Sequence, residues 1–199
     1  MFTGLIEETG IVSKRINNPD GIELDIQAKK ILEDLKINDS ISCSGICLTV
    51  TRIAGNKFTV QLVEETLKRT NAKSWDKGIK INLERSLLPS TRLGGHFVQG
   101  HIDTVTTIHD IINKKDSATW YFVLNKKIDK YIVEKGSICL DGISLTVVMK
   151  NKEYFSVALI PHTLNVTNWN QKNIGDLINV EVDIMAKYIE NFLGEKDAV

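Results

Sequence analysis

Short runs in which apolar and polar residues alternate recur along the chain and predict β-strands. Residues 58–63 alternate between an apolar and a mostly polar face, and residues 155–160 do so less regularly, as half-buried strands do. Residues 143–149 are β-branched and apolar, which predicts a more deeply buried strand. Turn-forming residues separate the runs at short intervals, as at 18–21, 54–56, 113–117 and 151–152. Many short strands between regular turns favour a small closed barrel or a sandwich.

The chain also repeats itself. Between about positions 40 and 84, a residue and the one 97 positions later are the same or similar. Ser40-Ile41 returns as Ser137-Ile138, and Leu48-Thr49-Val50 returns as Leu145-Thr146-Val147. Each copy is long enough to be a small domain. The repeat therefore predicts two similar domains with two similar pockets, joined near the flexible pair Gly94-Gly95.

Apolar residues at helical spacing interrupt the strands at matching places. Residues 28–35 carry four apolar side chains on one helical face, and Ile128 and Ile132 occupy the corresponding positions of the second copy. The segment 183–193 has no counterpart in the first copy, and its apolar stripe consists of Met185, Tyr188, Ile189 and Phe192. This stripe needs a cover, which is either the chain's own barrels or a partner subunit in a symmetric homo-oligomer.

Composition narrows the function classes. The chain has 199 residues, 42% of them hydrophobic, with 25 basic and 25 acidic residues, so it has no basic excess of the kind that nucleic-acid binders show. The segment 1–8 does not resemble a signal peptide, and no stretch approaches the length of a membrane span. Three cysteines, an odd number without a secretion signal, indicate reduced thiols in the cytoplasm.

Phosphate, dinucleotide and metal motifs are not found in the sequence. Gly95 and Gly100 have P-loop spacing, but the Lys-Ser/Thr pair that should follow is replaced by other residues. His96 and His101 would face opposite sides of a strand, and the cysteines do not form a ligand set. We therefore expect no metal site.

The two copies differ at a few positions that carry reactive side chains. With an offset of 96 near the start of each copy and 97 later, Leu5 corresponds to His101, Ser44 to Asp141, Cys47 to Ser144 and Glu65 to His162. Two pockets of one shape with different side chains suit two similar ligands that play different roles. Each candidate also has a structural interpretation. Asp141-Gly142 is a hairpin-turn dipeptide, Asp183 is placed to cap the terminal helix, His101 suits a structural hydrogen bond, and Cys47 suits an inert thiol.

Five motifs, in order along this duplicated chain, resemble the riboflavin synthase family. They are Met1-Phe2-Thr3-Gly4-Leu5-Ile6, Gly45-Ile46-Cys47-Leu48-Thr49-Val50, Gly94-Gly95-His96-Phe97-Val98-Gln99-Gly100-His101, Asp141-Gly142-Ile143-Ser144-Leu145-Thr146-Val147 and Ile160-Pro161-His162-Thr163-Leu164. The resemblance implies an all-β fold of two tandem, homologous six-stranded Greek-key barrels with short helices and a C-terminal α-helix for trimerisation. The implied domains are an N-terminal lumazine-binding barrel at 1–96, a C-terminal lumazine-binding barrel at 97–185, and a helix and tail at 186–199.

The resemblance also implies a reaction, the last step of riboflavin biosynthesis. The family's enzymes are transferases that dismutate two molecules of 6,7-dimethyl-8-ribityllumazine. One molecule donates a four-carbon unit to the other, which gives riboflavin and 5-amino-6-ribitylamino-uracil. The resemblance implies a cytoplasmic homotrimer that binds two lumazines per site and needs no metal or organic cofactor. It suggests lumazine synthase as a further partner, and neither nucleic acid nor a membrane.

The family binds one lumazine in each barrel through three segments, and the repeat offset relates the two sets. In the first barrel the implied contacts are Gly4, Leu5, Ile6, Cys47, Leu48, Thr49, Gln61, Leu62, Val63, Glu64, Glu65 and Thr66. In the second barrel they are Gly100, His101, Ile102, Ser144, Leu145, Thr146, Ala158, Leu159, Ile160, Pro161, His162 and Thr163. The implied active site lies where the first barrel of one subunit faces the second barrel of its neighbour, and Lys135 reaches a ligand across that boundary.

The reaction requires removal of a proton from the 7-methyl group of one lumazine and addition of a nucleophile to the other. The resemblance suggests His101, with Ser144 and Thr146 beside it, for the proton transfer. Supporting polar or nucleophilic roles are expected for Ser40, Cys47, Asp141 and Asp183. Phe2 and His96 are expected to organise the N-terminal segment and the domain junction.

Two other functions fit the sequence less well. A non-catalytic lumazine- or flavin-binding protein of the bioluminescence antenna type would share the barrels without needing the reactive side chains, all of which are present here. A small-barrel nucleic-acid binder is the more distant alternative, and the balanced charge disfavours it.

Overall fold

A computed structural model describes residues 1–194 and shows two closed antiparallel barrels followed by a helix. The strands of the first barrel are β1 Glu8–Asn18, β2 Gly21–Gln27, β3 Ser40–Cys43, β4 Ile46–Ala54, β5 Lys57–Val63 and β6 Lys80–Arg85. They close in the order β1-β2-β5-β4-β3-β6, and pairing of β6 with β1 completes the barrel.

The second barrel repeats this topology strand for strand. Its strands are β7 Thr104–Asn113, β8 Ala118–Val123, β9 Ser137–Leu140, β10 Ile143–Lys150, β11 Tyr154–Leu159 and β12 Leu177–Val182. They close in the order β7-β8-β11-β10-β9-β12. Even the irregularities repeat, since the register shifts between Val12 and Lys14 in β1 and between Ile108 and Asp110 in β7. The predicted pair of six-stranded barrels is therefore confirmed.

Short helices join and end the barrels. The α-helices are α1 Glu64–Arg69, α2 Pro161–Val166 and α3 Ile184–Gly194, and single 3-10 turns lie at Ile31–Glu33, Asn71–Ser74, Asp129–Tyr131 and Asn168–Gln171. The helix predicted over 28–35 is only one such turn, because the chain leaves helical conformation at Asp34, where φ is −140°. Its apolar side chains Ala28, Ile31 and Leu35 are nonetheless buried. No helix within residues 1–194 is long and apolar enough to cross a membrane.

The barrel interiors hold the two hydrophobic cores, and alternation along each strand decides which side chains enter them. The prediction of a deeply buried strand at 143–149 was wrong in this respect. Ile143 and Val147 of β10 are buried, whereas Thr146 and Val148 are exposed. One face of β10 lines the core and the opposite face lies open, so β-branched composition alone did not indicate burial on both faces.

The terminal helix forms as predicted, and its apolar stripe is not covered by the barrels. The exposed fractions of Met185, Tyr188, Ile189 and Phe192 are 55%, 56%, 55% and 66%. Polar contacts tie α3 to the second barrel, including an ion pair between Lys187 and Asp103. The stripe therefore faces away from the described part of the chain. Residues 195–199, the end of the predicted tail, lie outside the described residues.

Candidate active site

Residues 2–4 and 96–98 pair side by side at the junction between the barrels, and two short segments, residues 2–5 and 98–101, lead away from the Phe2–Val98 pair in opposite directions. The Phe2 N–H donates to the Val98 carbonyl at 2.7 Å, and the Val98 N–H donates back to Phe2 at 3.1 Å. The pairing is antiparallel, and the two residues are equivalent in the repeat. Phe2 and Val98 are fully buried, with Cys139 packed beside them. Phe2 thus lies buried at the contact between the two segments.

A buried glutamate at the end of each barrel's last strand holds one of these segments. Glu84 accepts hydrogen bonds from the Thr3 N–H at 2.6 Å, the Thr3 hydroxyl at 2.6 Å and the Gly4 N–H at 3.0 Å. Its repeat partner Glu181 accepts from the N–H groups of residues 99–101, at 2.7 to 3.1 Å. Burial raises the pKa of both carboxyls, although the hydrogen bonds oppose the rise.

Each segment then crosses to the other barrel. The Gly4 carbonyl accepts from the Ser144 N–H at 2.8 Å, and the Gly100 carbonyl accepts from the Cys47 N–H at 2.9 Å. In the same way, Ile6 packs on the core of the second barrel and Ile102 on the core of the first. These contacts differ from the grouping of segments by barrel that the resemblance implied. Residues 4–6 join Ser144 in the second barrel, and residues 100–102 join Cys47 in the first.

The crossing also separates two residues that the resemblance placed side by side. Because Phe2 pairs with Val98, Gly4 lies opposite His96, and Gly100 lies at the far end of the paired segments. Four residues of extended chain span roughly 13 Å. Within one chain, His101 is therefore attached beside Cys47, at the opposite end from Ser144.

Ser144 has a histidine as its neighbour, but it is His96 rather than His101. The Nδ1 of His96 lies 2.7 Å from the Ser144 Oγ. His96 is buried, and this burial holds the pKa of its imidazole below the usual value, although the charge of Asp183 acts in the opposite direction. The ring is therefore neutral at neutral pH. His101, in contrast, is exposed.

The remaining segments expected to bind ligand lie at the rims of the barrels. In residues 61–66 only Leu62 is buried, and in residues 158–163 only Leu159 is. The first segment leaves β5 and enters α1, and the second leaves β11 and enters α2. The sequence interpretation missed both helices. The available signals were the acidic pair Glu64-Glu65 and the proline Pro161, both favourable in the first turn of a helix.

Four further candidates lie on the barrel surface or its rim. Ser40 begins β3, opposite Thr49, and lines a cavity of about 520 Å³ that also includes Thr3, Leu5 and Glu84. Thr49 and Thr146 are both exposed. Lys135 is exposed at a positive φ of 67°, where its repeat partner Asn38 has a φ of 74°. Asparagine tolerates this left-handed conformation better than lysine does.

Asp141 lies in a different environment, the buried interface between the barrels. Its carboxylate accepts from the Asn179 N–H at 2.8 Å, the Asn71 amide at 3.2 Å and the Trp169 indole at 3.3 Å. Lys172 stands 3.9 Å away. Burial raises the pKa of Asp141, and Lys172 and these hydrogen bonds oppose the rise. The residue also makes the expected turn with Gly142, at a φ of 46°.

Two other candidates keep the structural interpretations open to them. Asp183 accepts from the Met185 N–H at 2.9 Å and thereby caps α3. Cys47 is half-buried and is a free thiol. Among residues 1–194, no three His, Cys, Asp or Glu side chains are placed to hold a metal ion.

Comparison with known proteins identifies the same two repeats. The family model for the lumazine binding domain matches residues 3–86 and again 99–183. The chain is 45% identical over 199 residues to the riboflavin synthase of Actinobacillus pleuropneumoniae, covering 100% of this chain and 92% of that protein. It is 43% identical to the riboflavin synthase of Schizosaccharomyces pombe, covering 97% of this chain and 94% of that protein.

Solved structures show the same architecture. A crystal structure of LumP complexed with riboflavin superposes with a TM-score of 0.85 at 26% identity, covering 92% of this chain and 99% of that one. LumP complexed with 6,7-dimethyl-8-(1'-D-ribityl) lumazine gives a TM-score of 0.83 at 24% identity, with the same coverage. These likenesses bear on the fold, whereas the full-length riboflavin synthases are considerably closer in sequence.

Proposed function

The chain belongs to the riboflavin synthase family, and from this premise we propose that it dismutates two molecules of 6,7-dimethyl-8-ribityllumazine. One molecule gives a four-carbon unit to the other, and the products are riboflavin and 5-amino-6-ribitylamino-uracil. The observation that carries the proposal is the full-length similarity to riboflavin synthases across both lumazine-binding repeats. Two like pockets suit a reaction in which both substrates are the same molecule.

Each pocket combines a barrel rim with the segment that crosses from the other side of the junction. The first pocket consists of residues 47–49 and 61–66 with residues 100–102. The second consists of residues 144–146 and 158–163 with residues 4–6. Backbone N–H and carbonyl groups at these strand ends, together with threonine hydroxyls, suit the polar edge of a pyrimidine ring and a ribityl chain.

Within this arrangement we assign proton transfer at the 7-methyl group to His101. Its imidazole is exposed, and three N–H···carboxylate bonds from residues 99–101 to Glu181 fix its backbone. A group of this kind contributes about 10²–10⁴-fold to rate. Alignment of two stacked substrates contributes more, up to about 7–11 kcal/mol of the barrier.

The distance between His101 and Ser144 within one chain supports an active site shared by two chains. The first pocket, with His101, has to face a second pocket, with Ser144, from a neighbouring molecule. The uncovered stripe of α3 suits that association, and we propose the homotrimer of the family, in the cytoplasm. We assign Lys135 to a contact across the boundary. A lysine in the left-handed conformation costs stability and does not improve the turn, and residues kept in such a conformation are often functional.

The activity is tested by supplying the purified chain with the lumazine alone. We expect one riboflavin for every two lumazines consumed. Green fluorescence measures the riboflavin, and chromatography measures the uracil product. His101→Ala is the matched control, because it removes the proposed proton-transfer group and keeps the rest of the pocket. Tight lumazine binding without any riboflavin would instead favour an antenna-type binding protein. Absence of both lumazine binding and riboflavin formation would contradict the proposal.

A further inference from the structure

An acidic residue at the start of each barrel accepts a hydrogen bond from the backbone of that barrel's last strand. Glu7 accepts from the Arg85 N–H at 2.8 Å, and its repeat partner Asp103 accepts from the Val182 N–H at 2.9 Å. Asp103 follows His101 by only two residues. The contact therefore helps to fix the end of the crossing segment that carries the imidazole.

The two carboxylates obtain their counter-charges from different places. In the first barrel the Arg85 Nε lies 3.1 Å from each carboxylate oxygen of Glu7, so the cation belongs to the barrel's own last strand. The equivalent residue of the second barrel is Val182, which has no charge. The cation there is Lys187, whose Nζ lies 2.7 Å from the Asp103 carboxylate. Because Lys187 belongs to α3, the second barrel depends on this helix for the charge.

Lys187 also acts on the carboxylate that holds the crossing segment of the second barrel. Burial raises the pKa of the Glu181 carboxyl, and the hydrogen bonds from residues 99–101 and the charge of Lys187 oppose the rise. In the first barrel the charge of Glu7 instead adds to the rise that burial causes in the pKa of Glu84. An ionised carboxylate accepts strong hydrogen bonds at both oxygens. The lysine therefore favours the form of Glu181 that accepts from all three N–H groups.

We propose that Lys187 is a positioning residue for the reaction, because it ties α3 to both carboxylates that fix the segment carrying His101. This inference rests on the proposed function, which assigns proton transfer to His101. Within residues 1–194 the corresponding carboxylates of the first barrel, Glu7 and Glu84, have no ion pair with α3. The helix with the uncovered apolar stripe is thus joined to the one crossing segment that has a proton-transfer group.

Three variants separate this contact from the general attachment of the helix. Lys187→Gln removes the charge, Lys187→Arg keeps it, and Lys130→Gln breaks the other ion pair between α3 and the second barrel, with Glu190. We expect Lys187→Gln to lower kcat about tenfold with KM within about twofold, because a displaced His101 slows the chemical step. Lys187→Arg and Lys130→Gln should retain kcat within about threefold.

Hydrogen exchange of the backbone amides, followed by mass spectrometry of peptides, tests the same contact without turnover. Lys187→Gln should raise exchange in the peptide that contains residues 99–101 and leave the peptide that contains residues 3–4, which Glu84 holds, unchanged. Lys130→Gln should raise exchange in neither peptide. The two segments of one chain serve as each other's control for a general loss of stability.

Equal losses of kcat in Lys187→Gln and Lys130→Gln would overturn the proposal, because the helix would then act as a whole. It would also be overturned if Lys187→Gln left exchange at residues 99–101 unchanged or raised it equally at residues 3–4. If the unsubstituted chain made no riboflavin, the proposed function would fail, and the exchange measurement would still decide whether Lys187 fixes the segment.

Discussion

The two barrels have the same frame and different side chains in their pockets, and the frame is the more strictly repeated of the two. Asn82 donates to the Asp141 carbonyl at 3.0 Å, and its repeat partner Asn179 donates to the Ser44 carbonyl at 2.9 Å. The same symmetry relates the two glutamate anchors, Glu84 and Glu181, and the two crossing segments that they hold, residues 2–5 and 98–101. A pseudo-twofold relation of this kind holds both pockets at one backbone geometry, so that they accept one kind of ring.

The cores show that this frame does not depend on identical packing. In the second barrel Trp120 stacks on Trp169 with ring centroids 4.9 Å apart, and Phe122 stacks on Phe155 at 5.4 Å. At the repeat positions of the tryptophans the first barrel has Leu24 and Ala72, which are buried in its core. Backbone hydrogen bonds and glycine conformations are repeated, whereas core volume is filled by different residues. The chemical difference is concentrated at the tips of the crossing segments, Leu5 against His101, and at Cys47 against Ser144.

The largest effect on turnover is expected at the position where the two crossing segments differ, Leu5 against His101. His101→Ala should lower kcat by about 10²–10⁴-fold, measured by steady-state riboflavin formation, because it removes the proposed proton-transfer group. Leu5→Ala, at the repeat position, is the matched control and should change kcat far less. A similar loss in the two variants would mean that the tips act only by packing.

The same variant tests whether the active site is shared between chains. Chains with His101→Ala and chains with Ser144→Ala, unfolded and refolded together, should regain activity, because a mixed oligomer contains sites with both residues intact. Mixed oligomers no more active than either variant alone would place the complete site within a single chain.

A second expected effect concerns the glycines at which the segments cross. Gly100 has a φ of +81°, and a Cβ there would lie 2.5 Å from the Cys47 Cβ. Gly100→Ala should therefore destabilise the protein by roughly 3 kcal/mol, since left-handed strain and overpacking add. Urea unfolding measures this. Gly4→Ala, at the repeat position, should cost a similar amount, because its Cβ would lie 2.6 Å from the Ser144 Cβ at a φ of +77°.

The control for this prediction is Gly175→Ala. Gly175 also has a positive φ, +95°, but nothing lies within 4 Å of its Cβ position. It should therefore lose only about 1 kcal/mol, from backbone strain. Equal losses at Gly100 and Gly175 would show that the segments yield easily and that the crossing does not hold the pockets.

Much of this frame could be predicted because it is local or repeated. The alternating runs predict strands, the repeat predicts two like domains, and the cap of Asp183 on α3 follows from its place before an apolar stripe. The crossing of the segments could not be predicted in this way. The tertiary fold determines that the Gly4 carbonyl bonds to Ser144, and the pattern of residues 1–6 does not indicate that partner.

The glutamate anchors are an intermediate case. Glu84 and Glu181 follow matching runs of buried residues, Ile81-Asn82-Leu83 in β6 and Ile178-Asn179-Val180 in β12. A carboxylate there has to find donors inside the fold, so the repeat contained a signal for them. The contact between His96 and Ser144 had no such signal, because Gly95 and Ser144 approach each other only in the folded chain.

The smallest expected effect concerns the other difference within the frame, Asp141 against Ser44. Burial raises the pKa of Asp141 above its value in the unfolded chain, so folding favours the protonated form. The cost of the buried charge is absent below the unfolded pKa, about 3.9. It grows as pH rises through that value and is constant above the folded pKa. Asp141→Asn, which lacks the charge, should therefore gain stability relative to the parent as pH rises from about 3.

Urea unfolding over a pH series measures this gain. The other acidic residues contribute equally to the pH dependence of the parent and of Asp141→Asn, so their contributions cancel in the difference. Ser44→Asn is the control, because Ser44 occupies the equivalent turn at a φ of 41° and has no charge to lose. Its stability relative to the parent should not vary with pH. A stability of Asp141→Asn that instead fell relative to the parent with rising pH would mean that attraction to Lys172, 3.9 Å away, outweighs burial. The carboxylate would then be a stabilising ion pair that only the second barrel has, and the frames of the two barrels would differ in electrostatics as well as in their pockets.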